Sequence, residues 1–158
     1  MIDLYLETIA LTERLHRQIL ELVKLALDQL GIHDINNVQA MMLYNIGDAE
    51  MPVGELTLRG CYLGSNVSYN LKKMVENGYL VQERSEHDRR STHVRLTRKG
   101  RKLGEQLAAM HDRHIEMLRQ TGISDADLER VLVTLRRLER FWMNAASDVA
   151  MRRGQFAA

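Results

Sequence analysis

The sequence predicts a mainly α chain with one small β-hairpin, and three observations carry that prediction. Apolar residues recur at three- and four-residue steps over most of the chain, which is the spacing of amphipathic helices. Two short β-type runs, residues 80–84 and 92–96, flank the charged turn Glu86-His87-Asp88-Arg89-Arg90-Ser91. Pro52 is the single proline, so little in the chain interrupts a helix.

The elements follow in order. Residues 3–31 read as one long helix, with Leu4, Leu11, Leu15, Ile19, Leu22, Ala26 and Leu30 on a stripe and Gly31 as its stop. Asn36 or Asn37 caps a second helix that runs to Ile46 and ends at Gly47. A short third helix after Pro52 covers residues 53–59, and residues 60–64 form a turn. Ser65 or Asn66 caps a fourth helix. Its inner face is Val67, Leu71, Met74 and Val75, with Asn66, Tyr69, Lys72, Lys73 and Glu76 opposite and Gly78 at its end. After the hairpin, Thr97 caps a fifth helix to about residue 121, striped by Leu103, Leu107, Met110, His114 and Met117. Ser124 with Asp127 resembles a capping box in which Asp replaces the usual Glu or Gln. The last helix carries Leu128, Val131, Leu135, Leu138, Trp142, Ala145 and Val149.

Helix, turn, helix and basic hairpin is the order of a winged helix-turn-helix. In that fold one helix enters the DNA major groove and the hairpin reaches the backbone or the minor groove. The expected fold is therefore mainly α with a small β-wing, flanked by long dimerisation helices. Residues 1–31 are expected to form an N-terminal dimerisation helix, 32–98 the DNA-binding domain, and 99–158 the C-terminal dimerisation helices. The flanking helices are more apolar on one face than a monomer needs, so a homodimer is the expected assembly.

The formal charge of +1 hides an asymmetry. Residues 65–102 hold ten Lys/Arg against four acids, a local +6, whereas residues 1–58 carry −6. A basic segment of this kind speaks for a nucleic-acid partner more directly than the total does. One cysteine, Cys61, excludes an internal disulfide framework and fits a reducing compartment. The acids Asp3 and Glu7 replace the basic start of a signal peptide, and no apolar run approaches the ~18–20 residues of a membrane span. The expected location is the cytoplasm, with no membrane partner. No phosphate-binding glycine loop, G-x-S-x-G or zincin motif is present, so an enzyme is not expected and no cofactor is implied.

At the hairpin the residues carry a family resemblance. The run from Asp88 to Gly100 fits D-x-R-x5-L-T-x-x-G and resembles the wing and following helix start of MarR-family regulators. Residues 67–80 resemble that family's recognition helix, and the likeness extends over nearly the whole chain. Residues 62–73, Leu15-His16-Arg17 and Val38-Gln39-Ala40 are similar to LdtR-type regulators, a subgroup associated with cell-wall remodelling in alphaproteobacteria. The resemblance implies a transcriptional regulator, commonly a repressor, that binds a pseudo-palindromic operator as a homodimer. It also implies a small aromatic or amphipathic effector between the dimerisation helices and the DNA-binding lobe, near His16, Arg17, Met41 and Tyr44. Against that stands the plainer reading of the methionines and Tyr44 as core.

The candidate DNA contacts are Ser65, Asn66, Ser68, Tyr69, Lys72 and Lys73 on the helix, and Asp88, Arg89 and Arg90 at the wing. Lys72 and Lys73 suit phosphates, which position a protein without reading sequence. Asn66, Ser68 and Tyr69 lie in the N-terminal half, from which a recognition helix reads bases; Asn70 lies nearer the buried flank. Asp88 can fix the wing turn, and Arg90 suits a narrow A·T-rich minor groove. Two alternatives are a winged-helix protein-interaction module and a redox-responsive regulator using Cys61. Oxidation-sensing members of the family place their cysteine near the start of the first long helix, where this chain has none, so a packed thiol is the default. His111 and His114 have metal-ligand spacing, but no cysteine lies near and no metal is expected.

Overall fold

The computed structural model describes the backbone of residues 1–60, 64–84 and 91–155, and their side chains except at 59–60, 64–65 and 149–155. The elements are α1 (Ile2–Gln29), α2 (Asn37–Ile46), β1 (Met51–Pro52), α3 (Val53–Gly60), α4 (Gly64–Glu76), β2 (Leu80–Arg84), β3 (Thr92–Leu96), α5 (Arg98–Arg119) and α6 (Asp125–Gln155). The chain divides into two compact units, Met1–Asp112 and Arg113–Ala158. The first unit holds a winged helix, as the order of helices and hairpin predicts.

Local chemistry sets the helix ends. Asn36 caps α2 through a capping box: its side chain accepts from the Gln39 N–H at 2.8 Å, and Gln39 Oε1 accepts from the Asn36 N–H at 3.1 Å. Gly31 and Gly78 have φ of +66° and +76°, which glycine adopts without a Cβ penalty. At each, the chain closes a Schellman motif. Ile32 N–H donates to the Leu27 carbonyl and Tyr79 N–H to the Met74 carbonyl, both at 2.9 Å. Ser124 and Asp127 form the expected capping box, with the Ser124 N–H donating to Asp127 Oδ2 at 3.0 Å.

Four expectations need correction. Neither Ser65 nor Asn66 caps α4. An N-cap has non-helical backbone, whereas the helix already includes Gly64, so both residues stand in its first turn. Val75 is exposed, not part of the inner face. At ~100° per residue it falls about 80° from Val67, off the arc that Leu71 and Met74 share. The stripe of α5 holds through Leu103, Leu107 and Met110, but Met117 is exposed. The hairpin also has a third strand. β1 pairs antiparallel with β3, giving the order β1-β3-β2 with Met51 opposite Val94 and Leu80 opposite Leu96. Pro52 is tolerated there because β1 is an edge strand.

Helix α1 has two apolar faces. Val23 and Leu27 are buried in the core, one position along from the Leu22 and Ala26 of the predicted stripe. Leu4, Leu11, Leu15, Ile19 and Leu22 are exposed. The core itself joins Leu43 and Ile46 of α2, Leu56 of α3, Val67, Leu71 and Met74 of α4, and Leu103 and Leu107 of α5, with Tyr79 and the inner faces of the hairpin.

A tight junction joins the end of α4 to the start of α5. Thr97 N–H donates to the Tyr79 carbonyl at 3.0 Å, and Thr97 Oγ1 donates to the Gly78 carbonyl at 2.7 Å. The same hydroxyl accepts from the Gly100 N–H at 3.1 Å, the expected Thr97 cap. A Cβ at position 100 would lie 2.2 Å from the Tyr79 carbonyl oxygen, which accounts for Gly100. Asp34 ties the loop after α1 to this junction. Its carboxylate accepts from Tyr79 OH at 2.6 Å and pairs with Lys99 Nζ at 2.5 Å. Lys99 also donates to the Asn77 carbonyl at 2.9 Å and lies 4.1 Å over the Tyr79 ring. The Lys99 hydrogen bond, then that of Tyr79, holds the Asp34 carboxyl below its ordinary value. Burial first, and then the bond to Asp34, pushes the Tyr79 phenol up.

Two outcomes follow. Gly100→Ala should destabilise the fold by about 1–3 kcal/mol or more in chemical denaturation, because backbone must move to admit the methyl group. Asp34 is ionised at a lower pH folded than unfolded, so its contribution is present above its ordinary value of 3.8 and lost as pH falls through the lower folded value. Its side chain is 47% exposed, so the amount should be ~1 kcal/mol or less. Asp34→Asn should therefore be less stable near neutral pH and converge on the parent protein as pH falls through the lowered folded value of Asp34 in pH-dependent unfolding.

Candidate nucleic-acid interface

The sequence of α4 builds a helix with one buried and one open side. Val67, Leu71 and Met74 are at most 1% exposed, whereas Tyr69 is 62% exposed. Asn66, Ser68 and Lys72 are exposed with it, and Asn70 and Lys73 lie between the two sides. Five of the helix candidates, Asn66, Ser68, Tyr69, Lys72 and Lys73, are thus brought to the open side and its flank. Ser65 lies in the first helical turn, and its side chain is outside the described residues. A surface of amides, a hydroxyl, a phenol and ammonium groups can donate to phosphates and meet base edges.

The two lysines differ. Lys73 Nζ is 2.9 Å from Glu76 Oε2, and Lys72 Nζ is 3.9 Å from Glu76 Oε1. The bond to Glu76 pushes the Lys73 ammonium above its ordinary value, and the same bond holds Glu76 below its own. Lys73 therefore remains a cation. Lys72 reaches further into solvent, its side chain 76% exposed against 45% for Lys73.

On the hairpin, Arg84 and Arg95 are exposed, and Arg95 pairs with Glu83 at 2.9 Å. Asp88, Arg89, Arg90 and His87 lie outside the described residues, as does Cys61. His93 Nδ1 is buried without a hydrogen-bond partner, 3.8 Å from Glu50 Oε1.

A cavity of about 210 Å³ opens between α2, the end of β3 and α5. It is lined by Leu43, Tyr44, Asp48, Leu96, Arg101 and Glu105, with Gly47, Gly104 and Ala108 leaving the space. Of the four effector candidates, Tyr44 lines this cavity; His16, Arg17 and Met41 do not. His16 and Arg17 are exposed on α1, where Arg17 lies 3.7 Å from Glu13, and Met41 is half-buried in α2. The Tyr44 ring meets His111 at 5.0 Å between centroids. Sequence reasoning missed Arg101, Glu105 and Asp48. The one available signal was Gly104 in mid-helix, a residue too costly for a helix interior without a packing reason.

Exposed apolar residues concentrate on two helices. On α1 they include Leu4, Leu11, Leu15 and Ile19, and on α6 Leu128, Val131, Leu132, Leu135 and Phe141. Leu138 and Trp142 are half-buried. No helix among the described residues is long and apolar enough to cross a membrane.

Residues 35–100 match the family model for a winged helix DNA-binding domain. The chain is 40% identical over 142 residues to the exopolysaccharide II synthesis transcriptional activator ExpG of Rhizobium meliloti, covering 90% of this chain and 73% of ExpG. Its fold is similar to that of Streptococcus pneumoniae FabT solved with DNA, at a TM-score of 0.70 and 22% identity over 89% of this chain and 98% of FabT. It is equally similar to Staphylococcus aureus MarR solved with salicylate and kanamycin, at a TM-score of 0.70 and 21% identity over 90% and 94% of the two chains. With its winged helix, its flanking helices and these relatives, the chain belongs to the MarR family of winged-helix transcriptional regulators.

Proposed function

We propose that the protein is a ligand-responsive regulator that binds a pseudo-palindromic operator as a homodimer in the cytoplasm. The observation that carries the reading is the open side of α4, where Asn66, Ser68, Tyr69 and Lys72 stand exposed above a wholly buried back. Lys72 and Lys73 anchor phosphates, while Asn66, Ser68 and Tyr69 meet base edges, with Ser65 at the start of the helix. Asp88, Arg89 and Arg90 complete the surface at the wing, Asp88 bracing the turn and Arg90 entering the minor groove. The FabT structure with DNA supports this use of the fold.

Residues 1–31 and 99–158 carry the dimer contacts, and 32–98 the DNA-binding domain. The exposed apolar faces of α1 and α6 support that division, because a soluble monomer rarely leaves such stripes uncovered. The effector is a small aromatic or amphipathic molecule, taken near His16, Arg17, Met41 and Tyr44. The cavity beside Tyr44 and the salicylate-bound MarR structure support it. Repression is the family's commoner outcome, since a dimer on a promoter excludes polymerase. The name of ExpG favours a second reading, activation from an operator placed upstream.

Binding to a duplex library measured against salt tests the interface. Lys72→Ala or Lys73→Ala should weaken all duplexes alike and reduce the salt slope by ~1. Asn66→Ala or Tyr69→Ala should instead lose operator preference by roughly 1–3 kcal/mol. A protein without salt-dependent duplex binding would be an interaction module instead. Sedimentation of Leu135→Glu should give monomers with reduced operator affinity; an unaltered dimer would remove α6 from the interface.

A further inference from the structure

Among the described residues, Gln39 is the one polar side chain in the buried core, at 6% exposure. It lies in α2, which packs against α4 through buried apolar side chains. Its hydrogen bonds form a chain with a fixed direction. Gln39 Oε1 accepts from the Asn36 N–H at 3.1 Å. A backbone N–H can only donate, so Oε1 must face it, and Nε2 must point the other way. Nε2 donates to Asn70 Oδ1 at 3.1 Å, and Asn70 Nδ2 then donates to the Asn66 carbonyl at 2.9 Å. The relay runs from the cap of α2 to the first turns of α4 and ends on the backbone of Asn66.

Apolar contacts between helices are non-directional, and ridges-into-grooves packing by itself leaves a scatter of about 15–20° in helix angle. A directional bond in an otherwise apolar contact selects one arrangement. We propose that the Gln39–Asn70 bond indexes α4 on α2, so that Gln39 and Asn70 are positioning residues for operator specificity. They set the rotation and height at which Asn66 and Tyr69 meet the bases. The proposal rests on α4 being the reading helix. Gln39 is buried and cannot touch DNA, so any effect of changing it on base preference must act through the placement of α4.

The test uses full-length Gln39→Met, Asn70→Leu and the double variant, each first measured for thermal unfolding and oligomeric state. Operator preference over random duplex should fall about tenfold in each, with random-duplex affinity and salt slope unchanged. The double variant should lose no more than either single one, because both remove the same bond. If Gln39→Met does not fold, Gln39→Glu keeps the acceptor for Asn36 but removes the donor to Asn70, and should show the same loss. Unchanged preference in a folded Gln39 variant would overturn the proposal. So would a parallel loss on every duplex, which means that the bond only holds the fold together. A loss confined to Asn70→Leu would also overturn it, since Asn70 would then contact DNA directly. Asn66→Ala and Tyr69→Ala serve as controls. If they too keep operator preference, α4 is not the reader and the proposed function fails; if they lose it while Gln39→Met does not, only the positioning role fails.

Discussion

The approach of the Tyr79 carbonyl to the first turn of α5 is the constraint on which the DNA-binding fold is built. One oxygen, the Thr97 N–H and the missing side chain of Gly100 bring the end of α4 and the start of α5 within hydrogen-bond range. The hairpin leaves from Leu80 and returns at Leu96, so the same junction closes its base and fixes where the wing begins. Asp34 extends the constraint to the loop after α1. Its charge is spread over Lys99 and Tyr79, and Asn77 Nδ2 donates to its carbonyl. Half of this ion pair is in water, so its value lies less in net stability than in the single geometry that a phenol, an ammonium and a carboxylate can share.

With α4 as the proposed reading helix, its electrostatics balance affinity against reading. The segment from 65 to 102 concentrates the positive charge of the chain, yet Glu76 stands within 2.9 Å of Lys73 and 3.9 Å of Lys72. Phosphate affinity grows with the number of phosphates neutralised and carries no sequence information. In the proposed reading, a carboxylate shared by two lysines lowers that indiscriminate part, and the amide, hydroxyl and phenol of Asn66, Ser68 and Tyr69 are left to differ between sequences. A helix face with lysines alone would hold DNA more tightly and distinguish less.

What the sequence made legible was local. The run from Asp88 to Gly100 carried the family because each of its requirements, a cap at Thr97 and a bare position at Gly100, belongs to one residue in one place. A cap at Asn36 or Asn37, the capping box at Ser124 and the glycine stops at Gly31 and Gly78 are legible for the same reason. The open side of α4 followed from helical spacing, which places Tyr69 and Lys72 away from Val67 and Leu71. What escaped was long-range. β1 is two residues long and has no period to detect. The Asp34 network joins residues up to 65 positions apart, and nothing near Asp34 marks it as more than a loop acid. The second apolar face of α1, Val23 and Leu27, was hidden by the stronger stripe beside it. Arg101 and Glu105 read as surface charges on a basic helix until α2 is brought against them. The Ser65 and Asn66 cap failed because a cap preference names residue types, while the backbone decides which residue turns helical first.

The place of the cavity constrains how any ligand there would act. Its walls are α2, the end of β3 and the first turns of α5, and these are the same elements that hold α4, the proposed reading helix. α5 starts at the Thr97 junction, Arg101 of the cavity wall donates to the Leu96 carbonyl at 3.2 Å, and Leu96 ends the wing strand. α2 carries Gln39, which holds Asn70 of α4. A molecule that fitted the cavity equally well in every arrangement of these elements would change nothing, however tightly it bound. One that preferred α2 and α5 further apart would draw on both connections at once and would weaken the operator-bound arrangement by its own difference in affinity. The operator would then weaken that ligand by the same factor. Coupling between the cavity and the proposed DNA surface therefore needs no separate path: the walls of the one are the supports of the other.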